Sequence, residues 1–432
     1  MKAHVLSTDG ASVTRVEAGI RKYLPGVDVR LQQFSPLQAV VPGPVMHALK
    51  QQYGDATAIL QSLGAQRLKA VDDAEVLAVL KARDVRDLGK RRAAPRPAPG
   101  ALDWHLKLCR VDKAWDLVNG PDAIDWTGVS VGQIDTGYTR HPAYGFPNSW
   151  VQVDKAETFW PDPPIDSPTL PPPELGKGQS NLIGVNKGHG TKTGCTVAGF
   201  ATGDGFFGVS PKVPVVPVRI CDVVLINDRQ REFAKAVRHL VDVAGVKVIN
   251  VSLGIFPASA VKELRKAVDH AYDSGVIMVC AAGNIVQPVV APASLRRTLA
   301  VAGITSADAP WSGSSFGPEV DLSAPAADIR NALAKPGDRY AYATDGDGTS
   351  YAAAMVSGAA ALWLSLRKAE LAAAYPLPWQ VVEAFKQLAR KTARRPATWN
   401  DGSFGTGVLD VRALLEAALP AAGSLLEDGR NA

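Results

Sequence analysis

Apolar and polar positions along this chain follow two different rhythms. Beyond about residue 101, short apolar runs at 129–134, 213–220, 246–253, 276–282 and 298–304 alternate with stretches in which apolar residues recur every three or four positions. Such runs read as strands buried on both faces, and the stretches between them as helices, here over 192–200, 231–244, 258–274, 350–366 and 379–393. The alternation predicts an α/β fold with a mostly parallel central sheet and helices on both faces. Residues 1–88 mix a strand-like Ala39-Val40-Val41 with a helical spacing over 76–88, which predicts a separate small α/β domain. Between the two units stands Lys90-Arg91-Arg92-Ala93-Ala94-Pro95-Arg96-Pro97-Ala98-Pro99-Gly100, whose prolines and glycine forbid regular structure. The expected organisation is a small domain over 1–88, a linker over 89–100, a large domain over 101–420 and a flexible tail over 421–432.

Composition narrows the function classes. The 432 residues, 46% of them hydrophobic, can bury one large core and one small one. The 47 basic and 42 acidic residues are interspersed, giving a net charge of only +5, and this argues against nucleic acid or a membrane surface as partner. At the N-terminus Asp9 and Gly10 interrupt the apolar run before a signal-peptide core could form. The longest apolar stretch, 352–366, is shorter than the roughly 20 residues a bilayer crossing needs and reads as a buried helix. Cys109, Cys195, Cys221 and Cys280 are widely spaced, with no metal-binding pair, and read as buried thiols. Together these features point to a reducing, cytoplasmic setting, with unconventional export also compatible. The proline-dense 160–174 segment is expected to be a surface loop, the other reading being a polyproline ligand.

Four segments carry chemistry, each at the end of an expected strand or the start of an expected helix. Asp135-Thr136-Gly137 closes the first run of the large domain, where sites form in open α/β sheets. By itself it also fits a plain turn, or the nucleophile motif of an aspartic protease. His189-Gly190-Thr191 opens a small-residue helix, and a single histidine there is more often structural. Gly348-Thr349-Ser350 opens another helix, where serine could equally be an N-cap. Cys280-Ala281-Ala282-Gly283-Asn284 ends a strand with an amide able to donate to a developing oxyanion.

In order and setting these segments resemble the subtilisin-like serine proteases, or subtilases, over about residues 104–415. The Asp, His, Ser order is that of this class. The resemblance implies a serine endopeptidase acting on peptide or protein substrates through an acyl-enzyme, with Asp135, His189 and Ser350 as triad and Asn284 in the oxyanion hole. It also implies a substrate-binding edge at Ser252, Leu253 and Gly254, further substrate contacts at Ala282 and Gly283, and a specificity-pocket segment at Ala291-Pro292-Ala293-Ser294. No cofactor or metal is required. Calcium is left open at the 201–208 loop, which offers a single carboxylate where that ion wants six to eight oxygens. The pattern departs at Ile255-Phe256, which make a bulkier pocket wall, and at Lys192, where a second histidine is common. No acidic residue stands between Asn284 and Asp308, so a small or apolar residue is expected before the cleaved bond. By position the N-terminal domain resembles a subtilase propeptide, an intramolecular inhibitor of a zymogen with the linker as its processing site; a partner-binding module is the competing reading. A restricted intracellular processing role is expected, and the alternative is a catalytically silent subtilase shell that binds a peptide or partner.

Overall fold

The computed structural model describes residues 3–8, 13–25, 31–35, 38–41, 43–53, 55–63, 65–71, 102–159, 179, 186, 188–255, 260–284, 288–335 and 339–431. The helix expected over 76–88, the 89–100 linker and the 160–174 proline segment lie outside them.

The N-terminal elements are β1 (Ala3–Thr8), α1 (Val13–Tyr23), β2 (Gln32–Ser35), β3 (Gln38–Val41), α2 (Gly43–Tyr53), α3 (Ala56–Ser62) and β4 (Ala65–Val71). The strands pair antiparallel in the order β2-β3-β1-β4. Val16 and Ile20 of α1, Leu49 of α2 and Leu60 of α3 supply an apolar core of their own. Asp55 starts α3 by accepting the Ala58 N–H at 3.0 Å, which satisfies one of the orphan amides of a helix start.

The second unit is built on β5 (Val131–Asp135), β6 (Glu157–Thr158), β9 (Val215–Arg219), β10 (Val248–Val251), β11 (Ile277–Ala281), β12 (Leu299–Ile304) and β13 (Leu322–Pro325). Their order is β13-β12-β11-β10-β5-β9-β6, and every pairing is parallel. Two antiparallel hairpins stand outside this sheet: β7 (Phe200–Ala201) with β8 (Phe206–Phe207), and β14 (Ile329–Lys335) with β15 (Arg339–Gly346). The helices include α4 (His189–Ala198), α5 (Gln230–Arg238), α6 (Lys262–Asp273), α7 (Thr349–Ala374) and α8 (Pro378–Thr392).

Every residue of β5, β9, β10, β11 and β12 is buried, so their sequences are mostly apolar instead of alternating, with Gln133, Asp135, Arg219 and Asn250 as the polar exceptions. Side chains of odd and even strand positions nevertheless go to different cores. Ile277 and Val279 pack with α7, while Met278 and Cys280 pack with α5 and α6. Helix α7 has 26 residues and is long and apolar enough to cross a membrane, yet 94% of its most apolar stretch is buried against protein. It runs past the expected end at residue 366 and crosses β10 to β13, its alanines and Gly358 permitting close approach.

The chain leaves β5 for the edge strand β6, returns to β9, and then passes over to β10 on the other side of β5. The carboxyl ends of β5 and β10 therefore flank a point where the winding reverses, and the crevice at such a reversal is where open α/β sheets bind ligands.

The C-terminal segment differs from the expected flexible tail. Arg297 is 2% exposed, and its guanidinium donates to Glu427 at 2.8 Å, to the Asp428 carbonyl at 2.9 Å and to Asp273 at 2.9 Å. Lys386 pairs with Asp428, and Asn431 is held by Asp269. A buried guanidinium needs carboxylates around it, and the tail supplies one of them together with a carbonyl. Deleting residues 427–432 is expected to cost about 3–5 kcal/mol, the scale for breaking a buried ion pair on one side; urea unfolding with an unchanged midpoint would show that the tail only decorates the surface.

His105 is buried, with no partner for its Nδ1 among the described residues, and burial lowers its pKa from 6.5 to about 4. The unfolded chain takes up this proton at higher pH than the folded one. Its contribution is therefore complete above pH 6.5 and is lost as pH falls from 6.5 towards 4, by roughly 3 kcal/mol in all. His105→Phe is expected to flatten that acid limb in denaturant midpoints measured between pH 7.5 and 4.

Candidate active site

Asp135 is the last residue of β5 and is 1% exposed. Its Oδ1 accepts the His189 Nδ1–H at 2.7 Å and the Thr136 N–H at 2.6 Å, while Oδ2 accepts the Thr193 hydroxyl at 3.1 Å. A carboxylate can only accept, so a ring proton sits on Nδ1, and in the neutral form of the ring the lone pair is at Nε2. His189 is the first residue of α4, and its ring is 14% exposed.

The start of α4 is tied to β5 by side-chain hydrogen bonds. Gln133 Nε2 donates to the Gly190 carbonyl at 2.7 Å and to Thr193 Oγ1 at 2.8 Å, and its Oε1 accepts the Tyr144 hydroxyl. The Gly190 N–H donates to Thr136 Oγ1 at 3.1 Å. Any Cβ on Gly190 would lie 2.1 Å from the Gly137 carbonyl oxygen, so only glycine permits this approach.

Ser350 is the second residue of α7, and Gly348, not the serine, is the N-cap. The serine hydroxyl is thus not spent on capping. It donates to the Ser252 carbonyl at 3.4 Å, and Ser252 Oγ returns a bond to the Ser350 carbonyl at 3.1 Å. Asn250 and Ser357 extend this buried chain. The register pairs Val251 with Ile134, so Ser252 and Asp135 stand side by side on strands roughly 4.8 Å apart. Asp135, His189 and Ser350 are thereby brought to one rim of the sheet. Among the described residues no hydrogen bond yet joins the Ser350 hydroxyl to His189, and such bonds often tighten only around a bound substrate.

Asn284 faces the same point. Its Oδ1 accepts the Thr349 N–H and Oγ1–H, each at 2.9 Å. A backbone N–H can only donate, so the oxygen is assigned and Nδ2 is left over as a donor. Among the described residues neither this Nδ2 nor the Ser350 N–H has an acceptor. Two free donors therefore flank the serine hydroxyl, an arrangement able to hold a developing oxyanion.

The expected substrate edge is placed but not open. Gly254 donates its N–H to the Val224 carbonyl at 2.9 Å, and its own carbonyl accepts the Ile226 N–H at 3.0 Å. Ala282 and Gly283 follow β11 and lead to Asn284. Ile255, expected in the pocket wall, is fully buried and pairs with Ala291; Phe256 is outside the described residues. The 201–208 loop does not fit calcium: Arg330 takes the Asp204 and Gly205 carbonyls at 2.8 and 2.7 Å, and Tyr342 takes the Asp204 carboxylate at 2.9 Å.

Gln133 and Thr193 were not among the residues the sequence singled out, and Thr349 entered only as the neighbour of Ser350. Gln133 had a signal, a polar residue inside an apolar strand; the threonines had none.

Residues 127–407 match the model of the subtilase family. The chain is 31% identical over 221 residues to the major intracellular serine protease of Bacillus subtilis (strain 168), covering 50% of this chain and 66% of that protein. It is 34% identical over 186 residues to subtilisin DY of Bacillus licheniformis, covering 41% and 64% respectively. The chain thus spans about half to two thirds of the length of the curated relatives it matches. Among solved structures, MycP1 with the N-terminal propeptide removed superposes with a TM-score of 0.54 at 25% identity, over 73% of this chain and 98% of that one. With the family model spanning both Asp135 and Ser350, the chain belongs to the subtilase family, whose members are serine-type endopeptidases.

Proposed function

We propose that the chain is a serine endopeptidase that cleaves peptide or protein substrates through an acyl-enzyme on Ser350. The observation that carries this is the Asp135–His189 hydrogen bond of 2.7 Å beside a serine hydroxyl flanked by two free donors. Ser350 Oγ attacks the carbonyl carbon as its proton passes to His189 Nε2, and Asp135 holds the ring and faces the charge it gains. Asn284 Nδ2 and the Ser350 N–H receive the oxyanion. The imidazolium gives its proton to the leaving amine, and water, deprotonated by the same nitrogen, releases the acid. None of these steps draws on a cofactor.

The unmade Ser350–His189 bond and the paired Gly254 edge favour a second reading, a shell that binds peptides without turnover. A fluorophosphonate probe separates the two, since a covalent adduct on the wild type, absent in Ser350→Ala, requires an activated hydroxyl. No adduct on the folded wild type, after cleavage within 89–100, would leave the binding shell. Asn284→Ala is expected to lower kcat roughly 100- to 1,000-fold with little change in KM, the scale the same donor has in subtilisin, a relative; a KM effect alone would make Asn284 a binding residue.

The N-terminal domain over 1–88 acts in this reading as an intramolecular inhibitor. Activity of the full chain rising after cleavage within 89–100 supports it, and unchanged activity favours a partner-binding module. A restricted intracellular task rests on the dispersed, buried cysteines and on the similarity to an intracellular Bacillus protease. Rapid, unselective digestion of denatured casein would count against it.

A further inference from the structure

The nucleophile and the two free donors locate the carbonyl that is cut. Its carbon must come within about 3 Å of Ser350 Oγ, with its oxygen turned to Asn284 Nδ2 and the Ser350 N–H. The residue that owns this carbonyl then lies between segment 252–254, which holds the serine hydroxyl at Ser252, and segment 282–284, which ends in Asn284. Its side chain enters the crease between the two segments.

That crease is already occupied. Val290 donates its N–H to the Ala282 carbonyl at 2.9 Å and is only 4% exposed. A Cβ added to Gly254 would stand 2.7 Å from one Val290 methyl, and a Cβ added to Gly283 would stand 2.9 Å from the other. The isopropyl group therefore straddles the two glycines, in contact with the backbone on both sides. Neither glycine could carry a side chain without displacing it.

We propose that Val290 is the specificity-determining residue of this site, filling the crease so that the residue before the cleaved bond must be glycine, alanine or serine. The inference rests on the protease reading and sharpens it: without Val290 the two glycines would leave a slot open to large apolar side chains. Discrimination comes from space, because the methyl groups cannot retreat from a packed interior.

The test is a set of peptides identical except for alanine, leucine or phenylalanine before the bond, with kcat/KM measured for wild type, Val290→Ala and Val290→Gly. The wild type is expected to prefer alanine over phenylalanine by at least about 100-fold, the upper range of what a steric pocket achieves. Both variants are expected to raise kcat/KM on the leucine and phenylalanine peptides by roughly tenfold or more, while the alanine peptide changes less than about fivefold. The wild-type ranking stands alone should Val290→Gly fail to fold. A wild type that takes up the fluorophosphonate label yet cuts after phenylalanine as readily as after alanine overturns this inference alone. So does an unchanged ranking in both variants. A wild type that, after cleavage within 89–100, takes up no label and cuts none of the peptides overturns the protease reading with it.

Discussion

Ser350→Ala is expected to lower kcat by roughly a millionfold, an effect that only loss of His189 should match. The figure follows from the unit behaviour of nucleophile and base, for which loss of either in subtilisin costs about as much as loss of both. KM should change little, because among the described residues the hydroxyl bonds only the Ser252 carbonyl, at a long 3.4 Å, and in this reading it binds nothing of the substrate before reaction. Stability should fall by no more than about 1 kcal/mol, the net worth of one ordinary hydrogen bond. The residual rate is expected to exceed the uncatalysed one, since Asn284 Nδ2 and the Ser350 N–H are untouched. Stopped assays on a fluorogenic peptide, with the fold checked by circular dichroism, measure this directly. A loss smaller than about a hundredfold would place the nucleophile elsewhere.

Asp135→Asn should cost on the order of 10,000-fold in kcat, the scale that loss of the same carboxylate has in subtilisin. The surroundings of Asp135 say which part of its role is lost. The Thr136 N–H donates to Oδ1 and will hold the oxygen of an asparagine there, still facing His189 Nδ1, while the new NH2 group turns to Thr193 Oγ1, which can accept. The ring keeps its tautomer, and what disappears is the negative charge facing an imidazolium. Pre-steady-state kinetics should accordingly show slower acylation with an unchanged binding step. A loss of tenfold or less would reduce Asp135 to a structural anchor.

The sheet was readable from sequence because its strands are buried on both faces. Ile277 to Ala281 appears as an unbroken apolar run and Val248 to Val251 as one interrupted only by Asn250, and the runs place both strands within a residue or two. The reactive groups were readable because each sits where such a run ends or a small-residue helix begins. Their supports were not. Thr193 and Thr349 look like any helical threonine, and their value comes from what Asp135 and Asn284 bring to them across the fold. Val290 is one apolar residue among several, and nothing before chain reversal says that it meets Gly254 and Gly283. The tail misled for a related reason: a polar, glycine-containing stretch reads as frayed unless the unmet demand of Arg297, some 130 residues upstream, is known.

The assembly of the site from both halves of the sheet bears on how the polypeptide is made. Asp135 and His189 come together on β5 and α4, which leave the ribosome early, whereas Ser350 is set only when α7 has crossed β10 to β13. Long-range parallel pairing of this kind is slow compared with local contacts. In the protease reading a nascent chain therefore carries its proton acceptor long before its nucleophile is set, and it gains the power to cut only once α7 has packed across the sheet.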